Sequence, residues 1–317
     1  MFKNIWQHQS LLLCSFSQKD MDKIKKAHLA VLGANIIYGV SFSAVKMLTS
    51  QFMPAFSLNL IRIGVSAPLF WLLFIMKPSK AGIQKEDIPR FFWCSVTGVA
   101  INQLMFIKGL SLTTSIHASI LSLVSPIFIT AAAGWLLKEK FTPLKAIGLA
   151  LGIGGAFMIV SGRQQSSAQG ENMLLGDILI IINAISYSIY FVLVKPLMLR
   201  YHPIHILRWV FTFGVFLILP FGLGDFLETD FTAFTSTAWL ALALVVLGTT
   251  FLAYILNVYG LKYLGAGTTG TYIYTQPLFA SIIGILLLGE IFTFRLAIAA
   301  TLIGAGVLFA TKNKAKN

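Results

Sequence analysis

The sequence predicts an all-α polytopic membrane protein of ten transmembrane helices, built as two inverted five-helix repeats. Composition, the spacing of apolar runs and the sidedness of positive charge carry that prediction. Of 317 residues, 57% are hydrophobic and 11% charged, with a mean hydropathy of +0.82, whereas a soluble domain is about a quarter charged. A hydrocarbon core about 30 Å thick takes about 20 apolar residues per helix. About ten spans with short loops therefore use up the chain, and no stretch is left for a soluble catalytic or ligand-binding domain.

The elements follow in order. Residues 1–26 are an extension ahead of the first span. Its run Leu11-Leu12-Leu13-Cys14 is too short to cross a bilayer and is followed by no small-residue cleavage site, and Leu13 before Cys14 does not suit a lipoprotein anchor. Met21-Asp22-Lys23-Ile24-Lys25-Lys26 makes an ordinary cytoplasmic start, so the first 20 residues are expected to be a disordered extension or a start assigned too far upstream. Apolar runs bounded by Pro, Gly or charge then fall at 27–48, 56–76, 91–110, 113–137 and 143–161. A polar break at 161–172 (SGRQQSSAQGEN) separates these from five more, at 173–194, 203–222, 237–260, 266–288 and 294–311, with a basic tail at 312–317. The runs exceed barrel-strand length and lack two-residue alternation, so they are helices.

Lys and Arg number 24 against 11 acids, a net charge of +13. In a soluble chain that balance would suggest nucleic acid; here membrane orientation accounts for it and no nucleic-acid partner is expected. With the amino terminus inside, 18 of the 24 fall in inside segments, only Lys108, Arg163 and Arg295 in outside ones, and Lys46, Arg62 and Arg208 within spans. The positive-inside rule thus places both termini in the cytoplasm, in a cytoplasmic (inner) membrane. Cys14 and Cys94 are distant from each other and on the same side, and imply no disulfide framework.

The halves repeat. A shift of 151 residues pairs Gly109-Leu110 with Gly260-Leu261, Pro126 with Pro277, Glu139 with Glu290 and Phe141-Thr142 with Phe292-Thr293, and a shift of 149 pairs Tyr38 with Tyr187, Lys46 with Lys195 and Pro54 with Pro203. The units are residues 27–161 and 173–311, a duplication of five helices. An odd number of spans forces the second unit upside down relative to the first. Such repeats give secondary transporters two nearly equivalent states around a midplane site.

The repeated pattern of Gly-Leu ending a third helix, Pro inside the fourth, Glu 13 residues later and a fifth helix rich in glycine (Gly148, Gly152, Gly154, Gly155) resembles the EamA-like branch of the drug/metabolite transporter superfamily. The resemblance covers residues 27–311. It implies a ten-helix carrier with a central cavity lined by the first four helices of each repeat, moving small metabolites such as amino acids, usually outward.

Candidate site residues follow from polarity within the spans. The acids are placed at the membrane faces and none at the midplane, so a proton handle, if present, falls to His117 near the outer end of the fourth helix. Arg62 and Arg208 occupy the second helix of each repeat, where an Arg usually faces a cavity and suits a carboxylate or phosphate. Snorkelling competes, since each is about six helical residues, about 9 Å, from a face. Lys46 and Lys195 end their helices and are expected to be interface anchors. Asn35, Tyr38, Asn102, Gln103, Asn183, Tyr187, Asn257, Tyr272, Tyr274 and Gln276 complete the candidate cavity, with helix-to-helix hydrogen bonding the plain alternative for each. Pro126 and Pro277 can bend their helices for gating. Glu139 and Glu290 are expected to be structural, each beside a helix entry capped by Thr142-Pro143 or Thr293. The GxxxG spacing of Gly148 and Gly152 suits close helix packing, compatible with a homodimer contact.

Enzymatic constellations are missing: no HExxH, no GxSxG, no paired intramembrane aspartates, and no Cys or acidic ligands near His202 and His205. No cofactor or metal is expected. The function predicted is a secondary transporter of small metabolites, best an amino-acid-like or other amphipathic carboxylate, working outward by alternating access in contact with the lipid bilayer. The alternatives are a sensor or channel-like protein without transport and, among transporters, a nucleotide-sugar or phosphate-ester carrier.

Overall fold

The computed structural model describes residues 3–76, 82–136, 142–161 and 172–311, with side chains in the first helix from Asp22 onward. Eight helical stretches are long and apolar enough to cross a membrane, and Tyr272–Leu288 and Phe294–Phe309 are shorter apolar ones, which together make the ten predicted spans. No strand occurs among the described residues.

Spans one and two are α1 (Lys3–Gln51) and α2 (Ala55–Met76). Helix α1 starts ahead of residue 27, so the backbone expected to be a disordered extension continues the first helix. Span three is α3 (Ile88–Ser95), a π-helical stretch Val96–Ala100 and α4 (Ile101–Leu112), while span four is α5 (Ser115–Ser122) and α6 (Ser125–Leu136). Span five is α7 (Pro143–Val160). The second repeat supplies α8 (Met173–Arg200), α9 (Pro203–Leu227), α10 (Ser236–Ala243) with a π-helical stretch Leu244–Leu252, α11 (Ala253–Thr271), α12 (Gln276–Leu288) and α13 (Phe294–Thr311). Pro126 and Pro277, expected inside their helices as bends, instead stand in first turns: Pro126 opens α6 after the break at Leu123-Val124, and Pro277 opens α12 after a 3-10 turn at Tyr272–Thr275. A ring without an N–H fits a first helical turn at no cost in hydrogen bonds, while Pro68, Pro196 and Pro220 lie inside their helices, as membrane spans tolerate.

The packing obeys a pseudo-two-fold. Spans two and seven pack against each other (α2 with α9), as do spans five and ten (α7 with α13). The remaining large contacts exchange under a five-span shift: three with six (α4, α8) corresponds to eight with one (α11, α1), and four with six (α6, α8) to nine with one (α12, α1). The π-helical stretches share this symmetry, since Val96–Ala100 lies 148 to 152 residues before the stretch Leu244–Leu252.

Two ends can be told apart. The acidic end holds the close of α1 and the opening of α8, with Asp177, Asp225, Glu228, Asp230 and Glu290; the basic end holds the close of α2 and the opening of α7. Apolar side chains including Leu72, Phe157, Leu199, Phe216, Leu286 and Phe294 stay exposed around the bundle, as a lipid-facing surface requires. The GxxxG spacing serves packing inside one chain: a Cβ at Gly306 of α13 would lie 2.6 Å from the Gly148 carbonyl oxygen and 2.8 Å from the Gly152 nitrogen. Close helix approach is what small residues allow where lipid offers no hydrophobic driving force.

Candidate functional site

Midway along α2 one face carries Asn59, Arg62 and Ser66, spaced so that all three point the same way. Arg62 is 4% exposed, and Asn59 and Ser66 are wholly buried. The guanidinium Nε donates to Thr250 Oγ1 at 3.1 Å; Nη1 has no partner, nor do either amide atom of Asn59 or the Ser66 hydroxyl. Tyr38 and Tyr254 are near enough to interact electrostatically with the guanidinium, and Tyr187 with both phenols. No carboxylate pairs with Arg62 among the described residues. Four orphaned groups with a full positive charge among them are unusual in a span, where each unsatisfied polar atom is costly.

The π-helical stretch of span eight helps place Thr250. Its Oγ1 donates to the carbonyl of Val245, five residues back, at 3.0 Å, while the wider turn brings the side chain to α2. π-bulges gather at functional sites for this reason.

A second group of predicted residues ties α1 to spans eight and nine. Gln276 Nε2 donates to Asn35 Oδ1 at 2.8 Å and Asn257 Nδ2 to Tyr38 Oη at 3.3 Å, while Asn35 Nδ2 donates to its own helix at Val31. Tyr272 Oη bonds His28 Nδ1 at 2.8 Å. Tyr38 links this seam to Arg62. Asn102 and Asn183 instead donate to each other's backbone carbonyls, at 3.3 and 2.8 Å, which clamps α4 to α8 and spends both amides on structure. Gln103 donates to Asn102 and leaves its own Oε1 without a partner.

Arg208 is elsewhere. Its guanidinium carbon stacks 3.3 Å from the ring centroid of Phe74 and 4.7 Å from that of Trp71, and Nη2 bonds His205 at 2.9 Å. Phe74 is twelve residues beyond Arg62 on one helix, about 18 Å along the axis. The structure therefore does not bring the two arginines together, and Arg208 is held by cation–π contacts at the basic end. On the far side of Trp71, a groove of about 520 Å³ between α2 and α9 is lined by Gly64, Ala67, Pro68, Leu72 and Phe216. It is an apolar, lipid-facing feature.

At the acidic end His117 joins a buried polar cluster instead of a cavity. Its Nδ1 lies 3.1 Å from Asp177 Oδ2, and Thr113 Oγ1 donates to Asp177 Oδ1. Asp177, placed with the other acids at a membrane face, is 2% exposed. Helices α4 and α8 cross closely here, because a Cβ on Gly176 would sit 2.7 Å from the Thr113 nitrogen. Glu290 accepts from the Ser115 and Ile116 N–H groups at 2.7 and 2.9 Å. It caps the fourth span of the other repeat, not the helix that follows it, whose entry Thr293 caps with its own hydroxyl. Lys46, expected to anchor at the interface, is 4% exposed and donates to the Ser111 carbonyl at 2.9 Å. Lys195 is exposed, as an anchor should be. Glu139 lies outside the described residues; Thr142, after it, accepts from the Lys145 N–H as the cap predicted for α7.

Asn59, Ser66, Thr250 and Tyr254 were not predicted. The signal for the first two was present, since they lie three residues before and four after Arg62 on one helical face; Thr250 needed the π-bulge to be known.

The family model for the EamA-like transporter family matches residues 25–161 and again residues 174–312. An uncharacterised transporter of Archaeoglobus fulgidus is 27% identical over 291 residues, covering 90% of this chain and 97% of its own. The uncharacterised transporter YetK of Bacillus subtilis is 26% identical over 290 residues, covering 92% and 86%. A protein of Streptantibioticus cattleyicolor described as a probable terminal-alkyne amino-acid exporter is 23% identical over 276 residues, covering 85% and 88%. One solved crystal structure aligns with a TM-score of 0.59 at 16% identity, covering 90% of this chain and 96% of that one, a likeness of fold.

Proposed function

Because the chain belongs to the EamA-like transporter family and is a multi-pass membrane transporter, we propose that it exports small amphipathic carboxylates of the amino-acid kind by alternating access, with Arg62 holding the anionic end. The observation that carries this is the buried Arg62 guanidinium, which among the described residues has no carboxylate and whose unpartnered Nη1 stands beside the unpartnered Asn59 and Ser66. A buried charge left without its counter-ion marks a substrate pathway, and the planar fork suits a carboxylate. Asn59 offers an acceptor and two donors beside it, and Tyr38, Tyr187 and Tyr254 offer an amphipathic wall. A single positive charge fits a monocarboxylate better than a nucleotide sugar, whose diphosphate brings two negative charges, and Arg208 is too distant to help. Export is supported by the relative described as a probable terminal-alkyne amino-acid exporter. The excess of Lys and Arg at the basic end supports placing that end in the cytoplasm and the acidic end outside.

The test is counterflow in proteoliposomes loaded with a panel of amino acids and simple organic acids. Losing one charge-assisted hydrogen bond costs about 1.5–3 kcal/mol, so R62Q should raise the half-saturating concentration of the transported carboxylate about tenfold or more, and R62K should recover only part of it because the bidentate fork is lost. Transport of carboxylates by R62Q at the parent rate and affinity would refute the assignment.

A further inference from the structure

The polar cluster at the acidic end is built in one direction. Both carboxylates come from the second repeat: Asp177 from the first turns of α8 and Glu290 from just after α12. Both grip the same short piece of the first repeat, the turn between spans three and four. Asp177 takes Thr113 and His117, Glu290 takes the Ser115 and Ile116 N–H groups, and Lys46 of α1 holds the Ser111 carbonyl. Every one of these side chains is at least nine-tenths buried.

Burying two carboxylates, a lysine and a histidine is a poor way to add stability, since apolar side chains of similar volume would do at least as well. It is a good way to make a closure that can be undone. Charge-assisted bonds hold firmly while water is excluded, and when the turn withdraws, water solvates the same groups and offsets their loss. An apolar seal would instead expose surface that water disfavours.

The matching segment of the second repeat is built differently. The residues equivalent to Ser115 and Ile116, shifted by 151, are Ala266 and Gly267, and they lie inside the continuous helix α11 (Ala253–Thr271). A continuous helix offers no free N–H groups for a carboxylate. The turn is clamped at the acidic end while its counterpart segment is continuous helix, and a single state of an inverted-repeat carrier requires such an asymmetry.

We propose that Asp177 and Glu290 are the latch of the external gate: positioning residues that clamp the 111–117 turn while the site faces the cytoplasm and release it for the substrate to leave. The assignment of the acidic end to the outside rests on the orientation proposed above.

The experiment reads side-specific accessibility and needs no substrate. A cysteine is placed at Gln103, about 15 Å below the turn along span three, in a chain carrying C14S and C94A. Labelling by a membrane-impermeant maleimide is timed in right-side-out and in inverted vesicles. D177N and E290Q should each raise the ratio of external to internal labelling about tenfold or more, because weakening one end of a two-state equilibrium populates the other. The two variants act at separate bonds, so one that fails to insert leaves the other decisive. An unchanged ratio, or a rise from both sides together as a merely loosened bundle would give, overturns the latch. A rise of the internal signal alone keeps the latch but reverses the orientation, and so tells against the proposed topology.

Discussion

A guanidinium inside a span can lower its cost by reaching headgroups, by stacking on aromatic rings or by waiting for an anion. The chain shows the last two. Arg208 lies over Phe74 and Trp71, so its charge is already stabilised and R208M should leave the half-saturating substrate concentration within about twofold of the parent, with a stability change of no more than about 2 kcal/mol. Arg62 has one hydroxyl and an idle Nη1. Asn59 sharpens the contrast, since a buried amide with both atoms unpartnered costs about 1–3 kcal/mol. N59L should therefore raise the unfolding midpoint of the detergent-solubilised protein while slowing transport. A lowered midpoint would mean that the amide holds the fold and not the substrate. Sequence alone could rank Arg62 and Arg208 no differently, because both are lone arginines in second helices; the ring of Phe74 against one and the absence of any acid near the other are tertiary facts.

At the scale of elements, the helices and their breaks were legible and their partners were not. Apolar run length fixes spans to within a few residues, and Thr142 and Thr293 mark helix openings through local backbone chemistry alone, while Pro126 and Pro277 read as bends in the sequence and open helices in the structure. Glu290 could not be assigned so simply. A carboxylate near a helix start favours whichever amino terminus it meets, and the chain turns at Gly289, whose φ of 64° is the left-handed region that a side chain resists. That turn ends α12 and presents Glu290 to α5, 174 residues away in sequence. G289A should strain this position by about 1 kcal/mol and raise external labelling of the Gln103 cysteine in the same direction as E290Q. Equal labelling by G289A and its parent would show that the turn is not what aims the carboxylate. The sequence places Asp177 at a membrane face with the other acids, but its burial was not legible, because only the close crossing of Gly109 and Gly176 folds it inward.

Across the whole molecule, contacts between the repeats differ in whether both ends hold. Spans two and seven are tied toward each end. Trp71 Nε1 donates to Thr212 Oγ1 at 2.8 Å toward the basic end, and Ser57 meets Thr229 at 2.8 Å at the acidic end. Also at the basic end, Asp87, just ahead of span three, takes Arg200 Nη1 at 3.1 and 3.2 Å and the Tyr201 hydroxyl at 2.8 Å at the close of span six. Burial raises the pKa of the Tyr201 phenol and the Asp87 bond raises it further, so this donor persists throughout the neutral range. A pair tied at both ends cannot open at either without breaking a tie. The turn at 111–117 is held by Asp177, Glu290 and Lys46, whereas its counterpart runs within the continuous helix α11. Motion is therefore assigned to the 111–117 turn and the adjoining ends of spans three and four, around a pair that stays together. Two cysteine pairs in the chain carrying C14S and C94A separate the cases. Crosslinking S57C to T229C should leave at least about half of the carboxylate counterflow, because that contact persists in both states. Crosslinking T113C to D177C should stop it, with recovery on reduction. Loss of transport in the first pair would show that α2 and α9 part during the cycle, and would move the hinge away from that seam; full transport through the second would mean that the substrate leaves without the turn ever withdrawing.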